Sequence, residues 1–274
     1  MHKIKRIKAV FFSPTGNTKQ IVEQLANRFA QQLGISIGDD DFTLPENQSG
    51  IRSYAADDFI VFGVPTYAGR IPNKVLPFVQ NLFKGNNTFA VAVVTFGNRS
   101  FDNSLSELAG ELNRNGFAVL GAASIVCRHA FAHIGTGRPN STDKQQLAVF
   151  GDAIVQKLQT AALPLPDIVI KRNEALTAYY QPLGLDGKPV NFLKAKPVTD
   201  KAKCNNCGVC ATRCPMSAID KSDTAVVAGT CIKCQACITY CTKKAKTFTD
   251  SLFLSHKAML EQNYNTPAVS EFFV

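Results

Sequence analysis

Four cysteines stand at intervals of three, three and four residues in CNNCGVCATRCP (204–215), and four more repeat that spacing in CIKCQACITYC (231–241). No other feature constrains the chain so tightly. Three thiolates two residues apart can wrap one iron–sulfur cube, and the tight loop turns backbone N–H groups toward its sulfides. The fourth cysteine, displaced by one extra residue and followed by a turn, points the other way. Gly208 leaves the backbone room beside such a group. The competing readings are two zinc sites or disulfides. Zinc motifs pair two cysteines and then leave a longer gap, and disulfide scaffolds are short, secreted and loop-rich.

In the bacterial two-cluster pattern the fourth cysteine of each run ligates the other cluster. Cys204, Cys207, Cys210 and Cys241 are then expected to hold one 4Fe–4S cluster, and Cys231, Cys234, Cys237 and Cys214 the second. The region, including CPMSAI after the first run, resembles two-cluster bacterial ferredoxins. It departs from them at Thr242, where that family has proline. An altered potential or stability is expected there, with the ligand kept.

Lysine and arginine (30) exceed aspartate and glutamate (21) by nine across the chain. Between 194 and 246 ten basic residues face three aspartates, an excess of seven. Two oxidised all-thiolate clusters carry roughly four negative charges together, so most of that excess offsets them. The remainder suits an acidic redox protein, of the kind of a ferredoxin or flavodoxin reductase. Nucleic acid is not an expected partner, because the basic residues lack interleaved aromatics or a recognised module. No apolar stretch approaches the eighteen or so residues of a membrane span, and only four apolar residues follow the basic start before Ser13, too few for a signal peptide. A reducing, cytoplasmic location is expected, since eight of the nine cysteines crowd into one segment. Oligomeric state is not readable from the sequence.

The first 160 residues have a different character. IKAVFF (7–12), DFIVFGV (58–64), FAVAVVTF (89–96) and AVLGAASIVC (118–127) are apolar without alternation, as strands covered on both faces are. A weaker strand is expected within 34–44. Segments 17–32, 73–84, 101–115 and 142–160 have helical periodicity. This βαβα alternation predicts an α/β fold, a doubly wound five-stranded parallel sheet of the flavodoxin-like kind. A small α+β ferredoxin domain at 198–250 follows a Pro- and Gly-rich linker at 161–197, where Tyr179 and Tyr180 suggest packing on a surface. Residues 251–274 are expected to form a short helix and a tail.

SPTGNTKQ begins where the first strand ends and a helix starts. Its hydroxyls, Gly16 and the helix N-terminus form an anion cradle, although an ordinary capped turn would read similarly. It resembles the FMN-phosphate loop of flavodoxins, [ST]-x-T-G-x-T, over all six positions. Two more loops, GVPTYAGRIPNKV and TFGNRSFDNSL, follow the third and fourth strands at their carboxyl ends, where such sheets bind ligands. Each pairs aromatics with glycine, although Tyr67 or Phe101 taken singly could merely pack on its loop.

Nearly the whole chain resembles the bacterial flavodoxin–ferredoxin fusion family. That resemblance implies an FMN site in which Ser13, Pro14, Thr15, Gly16, Asn17 and Thr18 hold the phosphate. By the same resemblance Pro65, Thr66, Tyr67, Ala68, Gly69 and Arg70 edge the ring. Thr95, Phe96, Gly97, Asn98, Arg99 and Phe101 complete it. Cys127 reads as a buried small residue. His129 and His133 lie near the ligand edge, with no third ligand close enough for a metal. The expected function is electron transfer between the clusters, FMN and a partner protein. The alternatives are an FMN-dependent reductase of a small organic acceptor, or a redox sensor; no catalytic residue is assigned.

Overall fold

A computed structural model describes residues 4–170 and 175–274. Ten strands and seven α-helices alternate along those residues. The first half runs β1 (Arg6–Phe11), α1 (Asn17–Leu33), β2 (Ile37–Asp41), β3 (Arg52–Tyr54), β4 (Asp58–Pro65), α2 (Leu76–Leu82), β5 (Phe83–Gly85) and β6 (Thr88–Phe96). It continues with α3 (Ser104–Arg114), β7 (Phe117–Val126) and α4 (Ser141–Thr160). The cysteine-rich part holds β8 (Val198–Thr199), α5 (Val209–Thr212), α6 (Ala236–Thr239) and β9 (Lys246–Thr247). The chain closes with α7 (Ser251–Asn263) and β10 (Glu271–Phe273).

The main sheet has the order β10-β7-β6-β4-β1-β2. Its five strands other than β10 are parallel and follow the flavodoxin-like order 2-1-3-4-5. Strand β1 shows why its run is apolar throughout. Successive side chains leave a strand on opposite faces, so Ile7, Ala9 and Phe11 join Ile21, Leu25 and Phe29 of α1 and Leu147 and Ile154 of α4. Val10 and Phe12 join the other core, with Val79 of α2 and Leu105, Leu108 and Leu112 of α3. Both faces need apolar residues, and alternation disappears.

Two local differences from the sequence reading have physical causes. The helical periodicity over 73–84 ends early, because Phe83–Gly85 pairs in parallel with Arg52–Tyr54. Phe83 is then buried with its ring centroid 4.9 Å from those of Phe42 and Phe62. The sheet also has a sixth strand. The C-terminal tail returns as β10 and pairs antiparallel with β7, Glu271 opposite Ser124 and Phe273 opposite Ala122. Ser270 anchors the return, accepting from the Val126 amide (3.1 Å) and donating to Asp143 (3.1 Å).

The segment expected to be a linker is docked along its described length. The Tyr179 hydroxyl donates to the Ile71 carbonyl (2.8 Å), and the Tyr180 amide donates to the Ala68 carbonyl (2.8 Å). Helix α7, capped by Asp250 on the Phe253 amide (2.8 Å), buries Met259 and Leu260 against Ala132 and Ile134. Among the described residues no helix is long and apolar enough to cross a membrane.

Candidate flavin loops and cysteine recesses

The loops after β1, β4 and β6 emerge side by side, because those strands are neighbours in the sheet. In the first, Gly16 has φ +90°, a conformation L side chains rarely adopt. Helix α1 starts at Asn17 with no acidic residue in its first turn. Ser13 accepts from the Lys19 amide (2.9 Å), but the amides of Thr15, Asn17 and Thr18 have no acceptor among the described residues. Thr15 likewise has no side-chain partner there. Such orphan donors at a helix start suit an anion. Thr18 is different: its hydroxyl is buried and lies 2.8 Å from that of Thr95, so both tie the loop to the sheet.

In the second loop Tyr67 and Arg70 close a tight turn through mutual backbone bonds of 3.0 and 3.2 Å. Ala68 and Gly69 both sit at positive φ, 49° and 77°. A side chain at Gly69 would meet Asp102 at 2.2 Å, which explains the glycine. Ala68 is exposed and Tyr67 partly so, beside the phosphate-type loop. Arg70 points elsewhere, pairing with buried Glu107 (2.5 Å) and packing 5.2 Å from the Tyr179 ring.

In the third loop the side chains turn inward. Phe96 and Phe101 do not offer a face to a ring; they are 4% and 1% exposed and pack on each other within the core, centroids 5.5 Å apart. Asn98 and Asp102 take left-handed backbone (φ 66° and 40°), and the loop folds back onto the core. The Asn98 side chain is spent on the C-terminal segment, donating to Tyr264 (2.7 Å) and Thr266 (3.0 Å) and accepting from Ala268 (2.9 Å). Arg99 pairs with Asp102 and lies 4.0 Å over the Tyr180 ring. Gly97 is required, because a Cβ there would meet His129 at 2.3 Å.

The sequence placed His129 only near this edge. Its Nδ1 accepts from the amides of Phe131 (3.3 Å) and Ala132 (3.1 Å). Burial, with His256 and Arg99 nearby, pushes the imidazole down to about 3, so the ring is neutral at physiological pH. Asn17 bridges to the neighbouring Arg128 carbonyl (3.2 Å), joining this segment to the first loop. Burial, then Asp143, pushes the Cys127 thiol up to about 12, as befits a small core residue. Pro14 and Pro65 have no side-chain donor to offer a ligand.

The cysteine runs fold as near copies. Positive φ falls at the same register in each: Asn206 and Lys233, Gly208 and Gln235, Ser217 and Lys244. Five of these six are not glycine, so the backbone stores strain of about 1–3 kcal/mol at each position. The strain turns amides toward sulfur. Ala218 donates to Cys214 Sγ and Ala245 to Cys241 Sγ, both at 3.3 Å, and Asn206 donates to Cys204 Sγ at 3.4 Å.

The sulfurs sort into two recesses that mix the runs. Cys214 lines one of about 370 Å³ with Cys231, Cys234 and Cys237. Cys241 lines the other, of about 320 Å³, with Cys204, Cys207 and Cys210. Among the described residues no three His, Cys, Asp or Glu side chains converge as ligands of one metal ion would. Four sulfurs around a cavity, rather than around a point, fit a cluster better than zinc. Lys246 lines the second recess, is 4% exposed, and donates to the neutral Thr224 carbonyl. A buried lysine with no carboxylate partner among the described residues is suited by an anion nearby, and an anionic iron–sulfur group in that recess would supply one.

The recesses differ in surroundings. The first lies against the sheet domain: Ile232 packs on its core, and the Pro215 carbonyl accepts from Gln48 (3.0 Å). Tyr67 is close enough that Cys234 and Cys231, after burial, help hold its phenol well above the ordinary range. Burial also pushes Cys237 up to about 12 and raises Cys231. In the second recess Cys207 is exposed. Burial raises Cys241, but the amides of Ala245, Lys243, Lys246 and Lys244 outweigh it and lower the thiol. We call these the inner and outer recess.

Residues 196–250 match the family described as the 4Fe-4S dicluster domain. No curated protein matches the chain. Among solved structures, Streptococcus pneumonia TIGR4 flavodoxin is 19% identical, covering 56% of this chain and 99% of its own, with TM-score 0.41. Flavodoxin 2 from Bacillus cereus is 13% identical, covering 56% of this chain and 99% of its own, at TM-score 0.42. Rubredoxin oxygen:oxidoreductase from Desulfovibrio gigas is 18% identical at TM-score 0.41; the match covers 58% of this chain and only 37% of that one. At these scores the fold rests on strand order and register instead. A flavodoxin-like domain is thus joined in one chain to a 4Fe–4S dicluster domain, and the chain has an electron-transfer or redox role.

Proposed function

We propose that the chain is an electron-transfer flavoprotein that holds FMN on its three sheet loops and two 4Fe–4S clusters in its two recesses. Bound there, FMN exchanges one or two electrons and each cluster exchanges one, so the chain passes electrons on to a partner protein. The observation that carries this reading is the position of Tyr240. It stands between Cys237 and Cys241 in the chain, and its hydroxyl lies 4.0 Å from where a Cβ on Gly16 of the first sheet loop would stand. The inner recess also lies against the sheet domain, through Ile232 and the Gln48–Pro215 bond.

The residues support the parts separately. The backbone amides of Thr15, Asn17 and Thr18 offer an anion free donors, and Ala68 and Tyr67 leave an open edge beside them. The segment carrying Tyr179 and Tyr180 is not a loose tether in this reading; the two tyrosines hold the second loop by two backbone contacts. FMN rather than a larger flavin is favoured, because nothing in the sequence resembles an adenine site.

The test is composition. Protein purified without oxygen should release FMN and iron in a ratio of one to about eight, as two four-iron clusters require. About two zinc ions with negligible iron, or a flavin-free protein that does not take up FMN, would overturn the reading.

A further inference from the structure

The two recesses share a backbone but not a neighbourhood, and the difference assigns them different tasks. The inner recess is walled by the sheet domain, through Ile232 and the Gln48–Pro215 contact. The outer recess opens to solvent at Cys207 and at Lys243, both exposed.

Its rim is basic. Asp200 donates its amide to the Ala245 carbonyl (2.8 Å), so segments 200–204 and 241–245 lie side by side. They bring Lys201, Lys203, Lys243 and Lys244 to one edge, all four exposed. Among the described residues only Lys203 has an acidic partner there, Asp200 at 2.9 Å, and both are well exposed. Such a pair is worth little in water, and Lys201, Lys243 and Lys244 have no acidic partner among those residues. Lys246 sits behind them, buried against the recess, so rim charge and counter-charge are separate residues.

We infer that this rim is the docking surface for an acidic redox protein, which approaches the outer recess and not the flavin edge. The inference rests on the electron-transfer reading above and adds where the partner sits and what its surface must be. Three facts carry it together. The flavin edge is flanked by the segment carrying Tyr179 and Tyr180, and the inner recess by the sheet domain. The outer recess is open, and its lip carries charge of one sign. Charge of this kind acts on the encounter, raising association rates in a way that salt removes.

The experiment uses the full holoprotein and an acidic two-cluster ferredoxin as probe. The reduced ferredoxin is mixed anaerobically with oxidised protein, and flavin absorbance is followed as salt is varied. Lys243→Glu with Lys244→Glu should slow reduction at least about tenfold at low ionic strength, and the variant should converge on the parent at high salt. Lys201→Glu with Lys203→Glu should do the same, and serves if the first variant fails to retain iron. The comparison is made at equal iron and flavin content. A control changes net charge equally on the exposed start of α4, by Lys144→Glu, Gln145→Glu and Gln146→Glu, and should slow reduction less than twofold. Equal rates in all proteins, or an equal loss in the control, would overturn the docking surface while leaving electron transfer intact. No flavin reduction at any salt in any protein would overturn the parent reading, and this inference with it.

Discussion

The inner and outer recesses are built from runs with identical cysteine spacing and matching left-handed backbone positions, yet one faces the sheet domain and the other solvent. Pro215 and Thr242 mark the divergence. They follow the last cysteine of each run, but Pro215 is buried with its carbonyl on Gln48, whereas Thr242 is exposed. The residue that departs from the ferredoxin pattern therefore lies on the solvent side. Spacing specifies how a cluster is held, and the surroundings specify what it can reach.

The sharpest way to break this comparison is to remove the cysteines that cross. Cys214→Ala should damage the cluster of the inner recess and Cys241→Ala that of the outer, each with loss of iron from that recess, since each then lacks one of four thiolate ligands. Resolved cluster signals in the two variants check the assignment. If each variant instead lost the cluster of its own run, the division into recesses would be wrong.

A smaller effect is expected at the loop between them. Gly16→Val places a branched side chain at φ +90° beside Tyr240, on the cradle meant for phosphate. FMN affinity should fall by at least about tenfold, about 1.4 kcal/mol or more, while iron content stays at the parent level. Equilibrium dialysis with metal analysis separates the two. Unchanged affinity would return the loop to an ordinary strand-to-helix turn.

The smallest effect touches neither run and so controls the comparison. His129 is held neutral by burial, its pKa lowered to about 3. An unfolded chain takes up a proton near 6.5, the folded chain does not, and stability therefore falls as pH drops below that value. The loss is up to about 1.4 kcal/mol per pH unit. Urea unfolding between pH 7.5 and 5.5 should show the parent losing about 1 kcal/mol more than His129→Gln. His256, also lowered chiefly by burial, should leave a residual slope in that variant. Parallel curves would mean that His129 titrates normally.

Much of this was legible from the chain. Apolar runs without alternation marked the parallel strands, and cysteine spacing marked the dicluster domain, because both signals are local. The third loop was not legible. Phe96 and Phe101 have the right chemistry for a ring but pack inward, since Asn98 and Asp102 turn the backbone back. The side chains of Asn98, Arg99 and Arg70 secure the C-terminal segment or the strap carrying Tyr179 and Tyr180, which no loop motif announces. Those partners lie tens of residues away or more, beyond the reach of any short motif. The tyrosine pair was visible, but not its targets Ile71 and Ala68. Strand β10 is only three residues long, and its place on β7 depends on Ser270 meeting Asp143 across the fold.

The central claim is that the inner recess serves the flavin and the outer one serves the partner. Electron-spin relaxation of the one-electron-reduced flavin, with the clusters paramagnetic, tests it most directly, because a nearby paramagnet speeds relaxation steeply with proximity. Cys214→Ala should slow flavin relaxation markedly, whereas Cys241→Ala should leave it close to that of the parent. Slower relaxation in Cys241→Ala with none in Cys214→Ala would contradict the account.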